Sequence, residues 1–293
     1  MFKRVVIATD LSPQADALVN CMGNMREFGM EECLLVQCLH TMESYVDVIL
    51  SMKTHLLKNL KAQENVLKGM GYRVESRLVV GSPRVELNKI AEKEEYDLIV
   101  VGAEKQSLTG GSPLSTNAYE LLHHMAKPVL LVRMAEEERE EGSKTWSIGC
   151  GLEGPILFPT DFSVNAGQAF QYLQEMVRRG AKKITLLHVQ DEGRIYPYLV
   201  EQLVDFNETD RQRLEEMKET LLSHGDAEVE TMLVYGYPNG EIPKAIQEKG
   251  AGLVVMGSQG RGVLSEFLLG SVSQNIARHG NASVLLIPVH QEG

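Results

Sequence analysis

Short, continuous runs of apolar residues alternate along the chain with longer segments whose apolar residues recur at helical spacing. In the first half, the apolar runs that predict strands are 5–8, 34–39, 78–80, 98–101 and 129–132. The segments between them predict helices over 12–28, 42–70, 83–94 and 114–126. Unbroken runs rich in β-branched residues are typical of strands that are buried on both faces. The alternation therefore predicts a parallel sheet with helices on both sides.

The same series of patterns occurs twice. VVIATDLS at 5–12 recurs as PILFPTDFS at 155–163, DLIVVGAE at 97–104 as GLVVMGSQ at 252–259, and PVLLVR at 128–133 as SVLLIP at 283–288. In the second copy the predicted strands lie near 156 and over 184–189, 228–234, 253–256 and 284–287. Landmarks that keep their order indicate a duplicated domain. The predicted fold is α/β, with two tandem doubly wound domains, each a five-stranded parallel sheet of order 3-2-1-4-5.

The boundary between the copies falls in a segment of different composition. We predict a first domain over 1–134, a linker over 135–153 and a second domain over 154–293. The linker starts with a run of glutamates and continues with glycine and serine. Such a composition buries too little apolar surface to fold alone.

Composition excludes several classes of protein. The 293 residues carry a formal net charge of −11 at pH 7, so phosphate backbones and anionic membranes repel the chain, and we expect no nucleic-acid or membrane partner. No apolar stretch approaches the roughly 20 residues that a membrane-spanning helix needs. Cys33 and Cys38 are five residues apart on a predicted strand and face opposite sides, so they are expected to be free thiols. The sequence predicts a cytoplasmic protein.

Glycines follow the fourth strand of the second copy in the pattern Gly257-x2-Gly260-x9-Gly270-Ser271. Glycine permits positive φ and close backbone approach, so successive N–H groups can turn inward around an anion. Ser271 is predicted to begin a helix, with Gln274 as a capping-box partner. The free N–H groups and the positive dipole of a helix start favour a phosphate. The ligand crevice of such a sheet lies at the carboxyl ends of its first and fourth strands.

At these residues the sequence resembles the universal stress protein family in its ATP-binding branch. The second copy matches the family motif G-x2-G-x9-G-[S/T] at every specified position, and PTDFS and LLHV at 186–189 resemble the first two strands of the family. The resemblance implies a role in the stress response through binding of ATP or AMP, often with a divalent cation such as Mg²⁺ or Mn²⁺. It also implies that the two domains pair through their fifth strands; a further homodimer stays open.

The resemblance also implies a set of binding residues in the second copy. Asp161 is expected on the ribose or adenine side, Val189 is expected to contact adenine through its backbone, and the segment from 270 to 273 is expected to hold the phosphates. The full set is Pro159, Thr160, Asp161, Val189, Met256, Gly257, Gln259, Gly260, Gly270, Ser271, Val272 and Ser273.

The first copy departs from the glycine pattern. Gly102 is kept, but Lys105, Ser115 and Thr116 stand where the second copy has Gly260, Gly270 and Ser271. Because a side chain at such a position closes the approach of a phosphate, we predict a mainly structural first domain. Asp10 is kept, so an adenosine half-site is the alternative.

Three functions remain open. The first is a regulatory nucleotide-binding protein, since the sequence has no Walker lysine and no nucleophile paired with a base; we assign no catalytic or metal-ligating residue. The second is a slow ATP hydrolase or adenylyl-transferring enzyme that uses Asp161 and a divalent metal. The third is a purely structural pairing module. His188 is read as a core or crevice residue, and Arg261 as the cation adjacent to the site.

Overall fold

The computed structural model describes residues 1–39, 46–104, 120–138, 144–148, 154–195, 203–260 and 269–289. The chain divides into two compact units, residues 1–150 and 151–293. The boundary between them along the chain lies inside the predicted linker. The domain limits predicted from the sequence stay a prediction, as does pairing through the fifth strands. No helix in the described ranges is long and apolar enough to cross a membrane.

The first unit contains a parallel sheet with helices between its strands. Its elements are β1 Arg4–Thr9, α1 Pro13–Cys21, β2 Glu32–Leu39, α2 Val46–Gly69, β3 Arg73–Val80, α3 Pro83–Lys93, β4 Leu98–Glu104, β5 Val129–Glu138 and β6 Lys144–Ile148. The strand order is β3-β2-β1-β4-β5, and every pair among these five strands is parallel. This is the order 3-2-1-4-5 predicted from the sequence.

The second unit repeats this arrangement. Its elements are β7 Ile156–Thr160, α4 Val164–Arg178, β8 Lys183–Asp191, α5 Leu203–Leu222, β9 Glu228–Gly236, α6 Pro238–Glu248, β10 Leu253–Gly257, α7 Ser271–His279 and β11 Ser283–Ile287. The strand order is β9-β8-β7-β10-β11, again parallel throughout. Every residue of β7, β10 and β11 is buried, as continuous apolar runs predict. The α/β fold and the strand order are therefore confirmed.

Part of the predicted linker is a strand pair. Residues 135–138 extend β5, and β6 runs antiparallel to it with Met134 opposite Ile148 and Glu138 opposite Lys144. A segment of this composition can still form a strand pair, because ladder hydrogen bonds are made by the main chain and do not require apolar side chains. The rest of the predicted linker, at 139–143 and 149–153, lies outside the described residues, as does most of the predicted helix 114–126.

The predicted helix 12–28 is shorter than expected. Helix α1 ends at Cys21, and the chain continues as a 3₁₀ helix over Met22–Phe28. Gly23 lies in this segment, and glycine has a low helix propensity. The segment closes at Gly29, whose φ of 86° lies in the left-handed region that glycine adopts readily.

A buried carboxylate ties α2 to β3 in the first unit and gives a pH-dependent prediction. The Glu64 side chain is 5% exposed and accepts hydrogen bonds from Lys61, Lys68 and Ser76. Burial alone raises the pKa of Glu64, but the three hydrogen bonds outweigh it and lower this pKa to about 2. Because the folded pKa is below that of the unfolded chain, the stabilisation is present above pH 4–5 and is lost as pH falls through about 2.

Glu64→Gln is therefore expected to lower the free energy of unfolding by about 2 kcal/mol at pH 7, with a smaller difference near pH 3. Urea unfolding followed by circular dichroism at both pH values measures it. Exposed Glu92 on α3 supplies the control, since Glu92→Gln makes the same charge change at the surface. A deficit for Glu64→Gln that is equal at pH 7 and pH 3 contradicts the assigned pKa.

Candidate functional site

A cavity of about 700 Å³ opens in the second unit at the carboxyl ends of β7, β8 and β10. The sheet order β8-β7-β10 brings these strand ends together. The structure places every residue of the predicted binding set on its wall: Pro159, Thr160, Asp161, Val189, Met256, Gly257, Gln259, Gly260, Gly270, Ser271, Val272 and Ser273. The sequence analysis missed a second group of wall residues, among them Gln190, Phe206, Thr209, Asp210 and Arg213.

The turn after β7 is held by its own side chains. Thr160 Oγ1 accepts a hydrogen bond from the N–H of Phe162 at 3.0 Å, and Asp161 Oδ1 accepts one from the N–H of Ser163 at 3.0 Å. Ser163 Oγ then caps α4 by accepting from the N–H of Ala166 at 3.2 Å. Phe162 has a φ of 57°, a left-handed conformation that costs about 1 kcal/mol or more for a residue other than glycine. These bonds fix Asp161 at the cavity.

The first unit contains the same turn. Leu11 has a φ of 59° and donates its N–H to Thr9 Oγ1, Ser12 donates its N–H to Asp10 Oδ1, and Ser12 Oγ caps α1 at the N–H of Ala15. The turn is therefore a property of the repeated T-D-x-S sequence, and it does not by itself distinguish the two units.

The three glycines of the motif lie where space is short, most of all Gly257. A Cβ on Gly257 would lie 2.5 Å from Asn165 Oδ1, and one on Gly260 would lie 2.7 Å from Asp161 Oδ2. A Cβ on Gly270 would lie 3.3 Å from the carbonyl oxygen of Ser258. None of the three has a positive φ, so of the two properties expected of these glycines, positive φ and close backbone approach, only the second applies. Close approach of the chain is the physical reason.

One of these glycines lies at the start of α7. Gly270 is the N-cap residue, and its N–H donates to the carbonyl of Ser258 at 2.8 Å. Helix α7 begins at Ser271 as predicted, but Ser271 is not the N-cap, so the predicted capping box is wrong. Ser273 Oγ donates its hydrogen to the carbonyl of Gly257 at 2.9 Å. Because a hydroxyl has one hydrogen, Ser273 is left with its backbone N–H as the donor for a ligand.

A buried asparagine joins this loop to the end of the sheet. Asn165 is 5% exposed, and its Oδ1 accepts from the N–H of Gln259 at 2.9 Å. Its Nδ2 lies 3.2 Å from each of the carbonyl oxygens of Ile287 and Pro288. The sequence analysis missed Asn165, because 94 residues separate it from Gln259 and no local pattern marks the contact.

β8 contributes a buried histidine to the cavity wall. His188 is 7% exposed and donates Nδ1–H to the carbonyl of Thr160 at 2.7 Å, since a carbonyl only accepts. Its ring packs on Phe162 with centroids 4.5 Å apart, and its Nε2 lies 3.5 Å from Asp210 Oδ2. The guanidinium group of Arg213 lies over the Phe162 ring, with its Cζ 5.3 Å from the ring centroid. His188 is both buried and part of the cavity wall. The prediction that it is a core or crevice residue is therefore confirmed.

In the first unit, side chains lie close to the corresponding ends of β1 and β4. A Cβ on Gly102 would lie 2.6 Å from Met134 Cε. The buried Gln63 reaches from α2 to the turn, accepting from Thr9 Oγ1 at 2.8 Å and donating to Asp16 at 2.6 Å. Lys105, Ser115 and Thr116 lie outside the described residues, as does Arg261. The degenerate first domain stays a prediction.

The thiols of β2 lack the features of reactive cysteines. Burial raises the pKa of Cys33 to about 12 and that of Cys38 to about 11. Both are free of disulfides, as predicted. Within the part of the chain that the structure describes, no group of three or more His, Cys, Asp and Glu side chains is placed to hold a metal ion.

Comparison with known proteins gives consistent matches. The profile of the universal stress protein family matches residues 1–133 and 154–288. A universal stress protein of Methanocaldococcus jannaschii is 30% identical over 151 residues, which cover 45% of this chain and 93% of that protein. The crystal structure of a universal stress protein from Archaeoglobus fulgidus is 23% identical, with a TM-score of 0.74 and coverage of 97% of this chain and 98% of that one. A universal stress protein solved in complex with cAMP is 19% identical, with a TM-score of 0.35, over 45% of this chain and 97% of that one.

Proposed function

We propose, since this chain belongs to the universal stress protein family, that its second unit binds an adenine nucleotide, ATP or AMP, and that binding is its function without a dedicated chemical step. The observation that carries the proposal is the cavity at the carboxyl ends of β7, β8 and β10, whose wall contains the whole predicted binding set. A parallel α/β sheet binds its ligands at this position.

The start of α7 is the proposed phosphate end of the cavity. Gly270 is its N-cap, so no side chain at that position occupies the N–H groups of the first turn. Because Gly260 and Gly270 have no Cβ, the backbone beside the start of α7 is open to a ligand. Backbone N–H groups at a helix start favour a phosphate through hydrogen bonds and the helix dipole. Mg²⁺ or Mn²⁺, where it accompanies ATP, would be held mainly by the phosphates.

The remaining predicted residues take the nucleoside. The turn after β7 presents Asp161, whose carboxylate can accept hydrogen bonds from ribose hydroxyls. Val189 lies at the end of β8, where its backbone groups can contact the edge of adenine. Leu187 and Met256 add apolar surface for the faces of the sugar and base. The family membership together with these positions supports a regulatory role in the stress response, in which occupancy of the site links the ends of β7 and β10 to α7.

The decisive experiment identifies any nucleotide that accompanies the purified chain. Acid extraction followed by chromatography of the supernatant is expected to release an adenine nucleotide. Calorimetric titration of the nucleotide-free protein with ATP, AMP, cAMP and GTP, with and without Mg²⁺, is expected to show one adenine nucleotide per chain, because the first unit lacks the glycine pattern. Absence of binding at millimolar concentration contradicts the proposal.

A second measurement separates binding from catalysis. Incubation with ATP and Mg²⁺ or Mn²⁺, followed by chromatography of the nucleotides, is expected to leave ATP unchanged over many hours. Turnover that Asp161→Asn abolishes contradicts the absence of a chemical step and supports the hydrolase alternative.

A further inference from the structure

One face of α5 forms part of the cavity wall that no predicted residue occupies. Phe206, Thr209, Asp210 and Arg213 all line the cavity. Their spacing of three, four and seven residues places them on one side of the helix. We call these four residues the α5 wall. It contacts the end of β8, because Gln190 Nε2 donates to Asp210 Oδ2 at 3.0 Å.

The order of the strands separates the α5 wall from the proposed phosphate end. β8 and β10 lie on opposite sides of β7, so their ends are two strand spacings, about 10 Å, apart. A nucleotide whose phosphates lie at the start of α7 therefore directs its base towards the end of β8 and the α5 wall. This step rests on the proposed function.

Asp210 is the residue of this wall that is placed to read a base. Its side chain is 13% exposed, and its carboxylate accepts a hydrogen bond from Gln190 and lies 3.6 Å from Arg213 Nη1 through Oδ1. His188 Nε2 lies 3.5 Å from Oδ2. Two carboxylate oxygens have about four lone-pair sites, so acceptor capacity remains beyond these contacts. Gln190 is 4% exposed, and its amide nitrogen donates to Asp210, so it fixes the carboxylate in place.

We propose that the Asp210 carboxylate accepts a hydrogen bond from the 6-amino group of the purine, and so selects 6-amino over 6-oxo purine nucleotides. A 6-oxo group would face the carboxylate with a second acceptor, and two partly buried acceptors without a shared hydrogen destabilise the complex. Asp210 is thus a specificity-determining residue at the base end of the cavity, distinct from the residues that hold the phosphates.

The test compares ATP with inosine triphosphate, which replaces the 6-amino group by an oxo group. Calorimetric titration is expected to show that the wild-type chain binds ATP at least about tenfold more tightly. In Asp210→Asn, Gln190 can still donate to the side-chain oxygen, and the new amide nitrogen can donate to a 6-oxo group. The ratio of the two affinities is therefore expected to fall about tenfold or to invert. Asp226→Asn removes the same charge at a fully exposed position and is expected to leave the ratio unchanged.

Circular dichroism shows whether Asp210→Asn folds. If it does not, a modified nucleotide tests the proposal with the wild-type chain alone. N6,N6-dimethyl-ATP lacks both hydrogens of the amino group and is expected to bind about tenfold more weakly than ATP. Equal binding of ATP and inosine triphosphate, or an unchanged ratio in folded Asp210→Asn, overturns the role of Asp210 and leaves the proposed function intact. Failure of the wild-type chain to bind either nucleotide overturns the proposed function itself.

Discussion

Replacement of Gly270 by Asp is expected to weaken ATP binding about 100-fold and to leave the second unit folded. Gly270 has φ −62° and ψ 149° at the N-cap of α7, a conformation that any residue adopts. Aspartate is among the preferred N-cap residues, because its carboxylate accepts from N–H groups of the first turn. In this variant the carboxylate would occupy the donors proposed for the phosphates. Two negative charges about 5 Å apart near a protein surface repel by about 3 kcal/mol, which corresponds to roughly 100-fold in affinity.

Two further variants separate the causes of this loss. Gly270→Asn introduces a neutral side chain of similar size, so it is expected to weaken ATP binding about tenfold by occupying the same N–H groups. Gly252→Ala adds a Cβ at the opposite edge of the sheet, where nothing lies within 4 Å, and is expected to bind ATP as the wild type does. Titration of each variant, with its thermal melting temperature, gives the comparison. Wild-type affinity in Gly270→Asp would exclude α7 as the phosphate end.

The sheet was predictable because its strands are buried on both faces. β7, β10 and β11 are apolar throughout, so a continuous run identifies each of them. β3 was recognised only over 78–80, since its first five residues alternate between exposed and half-buried positions and include Arg73, Glu75 and Arg77. Such a strand carries no continuous apolar signal. The prediction therefore matched these fully buried strands closely and shortened β3.

The residues of the candidate site also differ in how far the sequence predicted them. The glycine segments and the T-D-x-S turn are local sequence features, and their positions after strands of a doubly wound sheet predicted that they meet. Asp210 and Asn165 are helical residues whose contacts lie on other elements, with Gln190 and Gln259 respectively. The spacing of the α5 wall follows the period of any amphipathic helix, so it does not reveal a ligand cavity. Only the packing of α4 and α5 against the strand ends identifies these residues.

Asn165 gives the second large effect, this time on stability. Its amide is the donor to the carbonyls of Ile287 and Pro288 and the acceptor for the N–H of Gln259. The carbonyl oxygen of Ile287 also accepts a hydrogen bond from the N–H of Ser258 at 2.8 Å, and this bond does not depend on Asn165. In Asn165→Ala, the buried Pro288 carbonyl and the part-buried Gln259 N–H lose their bonds to Asn165, and each lost bond costs about 1–3 kcal/mol. We expect a total loss of about 3 kcal/mol.

Asn165→Asp tests whether the donor half of the amide matters. A carboxylate keeps the size and can still accept from Gln259, but it cannot donate to the carbonyls of Ile287 and Pro288 and repels both. It is therefore expected to destabilise the unit as much as Asn165→Ala does. Asn275, whose hydrogen bond to the carbonyl of Asn239 is exposed, serves as the control, with an expected change in Asn275→Ala below about 0.5 kcal/mol.

Hydrogen exchange locates the effect in the chain. The amides of β10 and β11 are expected to exchange faster in both Asn165 variants, because Asn165 holds the backbone just beyond each of these strands, while those of β1 and β2 in the first unit keep their wild-type rates. ATP affinity is expected to fall about tenfold, since Gln259 and Gly260 are then no longer fixed beside Asp161. Wild-type exchange in β10 and β11 together with reduced ATP affinity would show that Asn165 contacts the ligand and does not act through the loop.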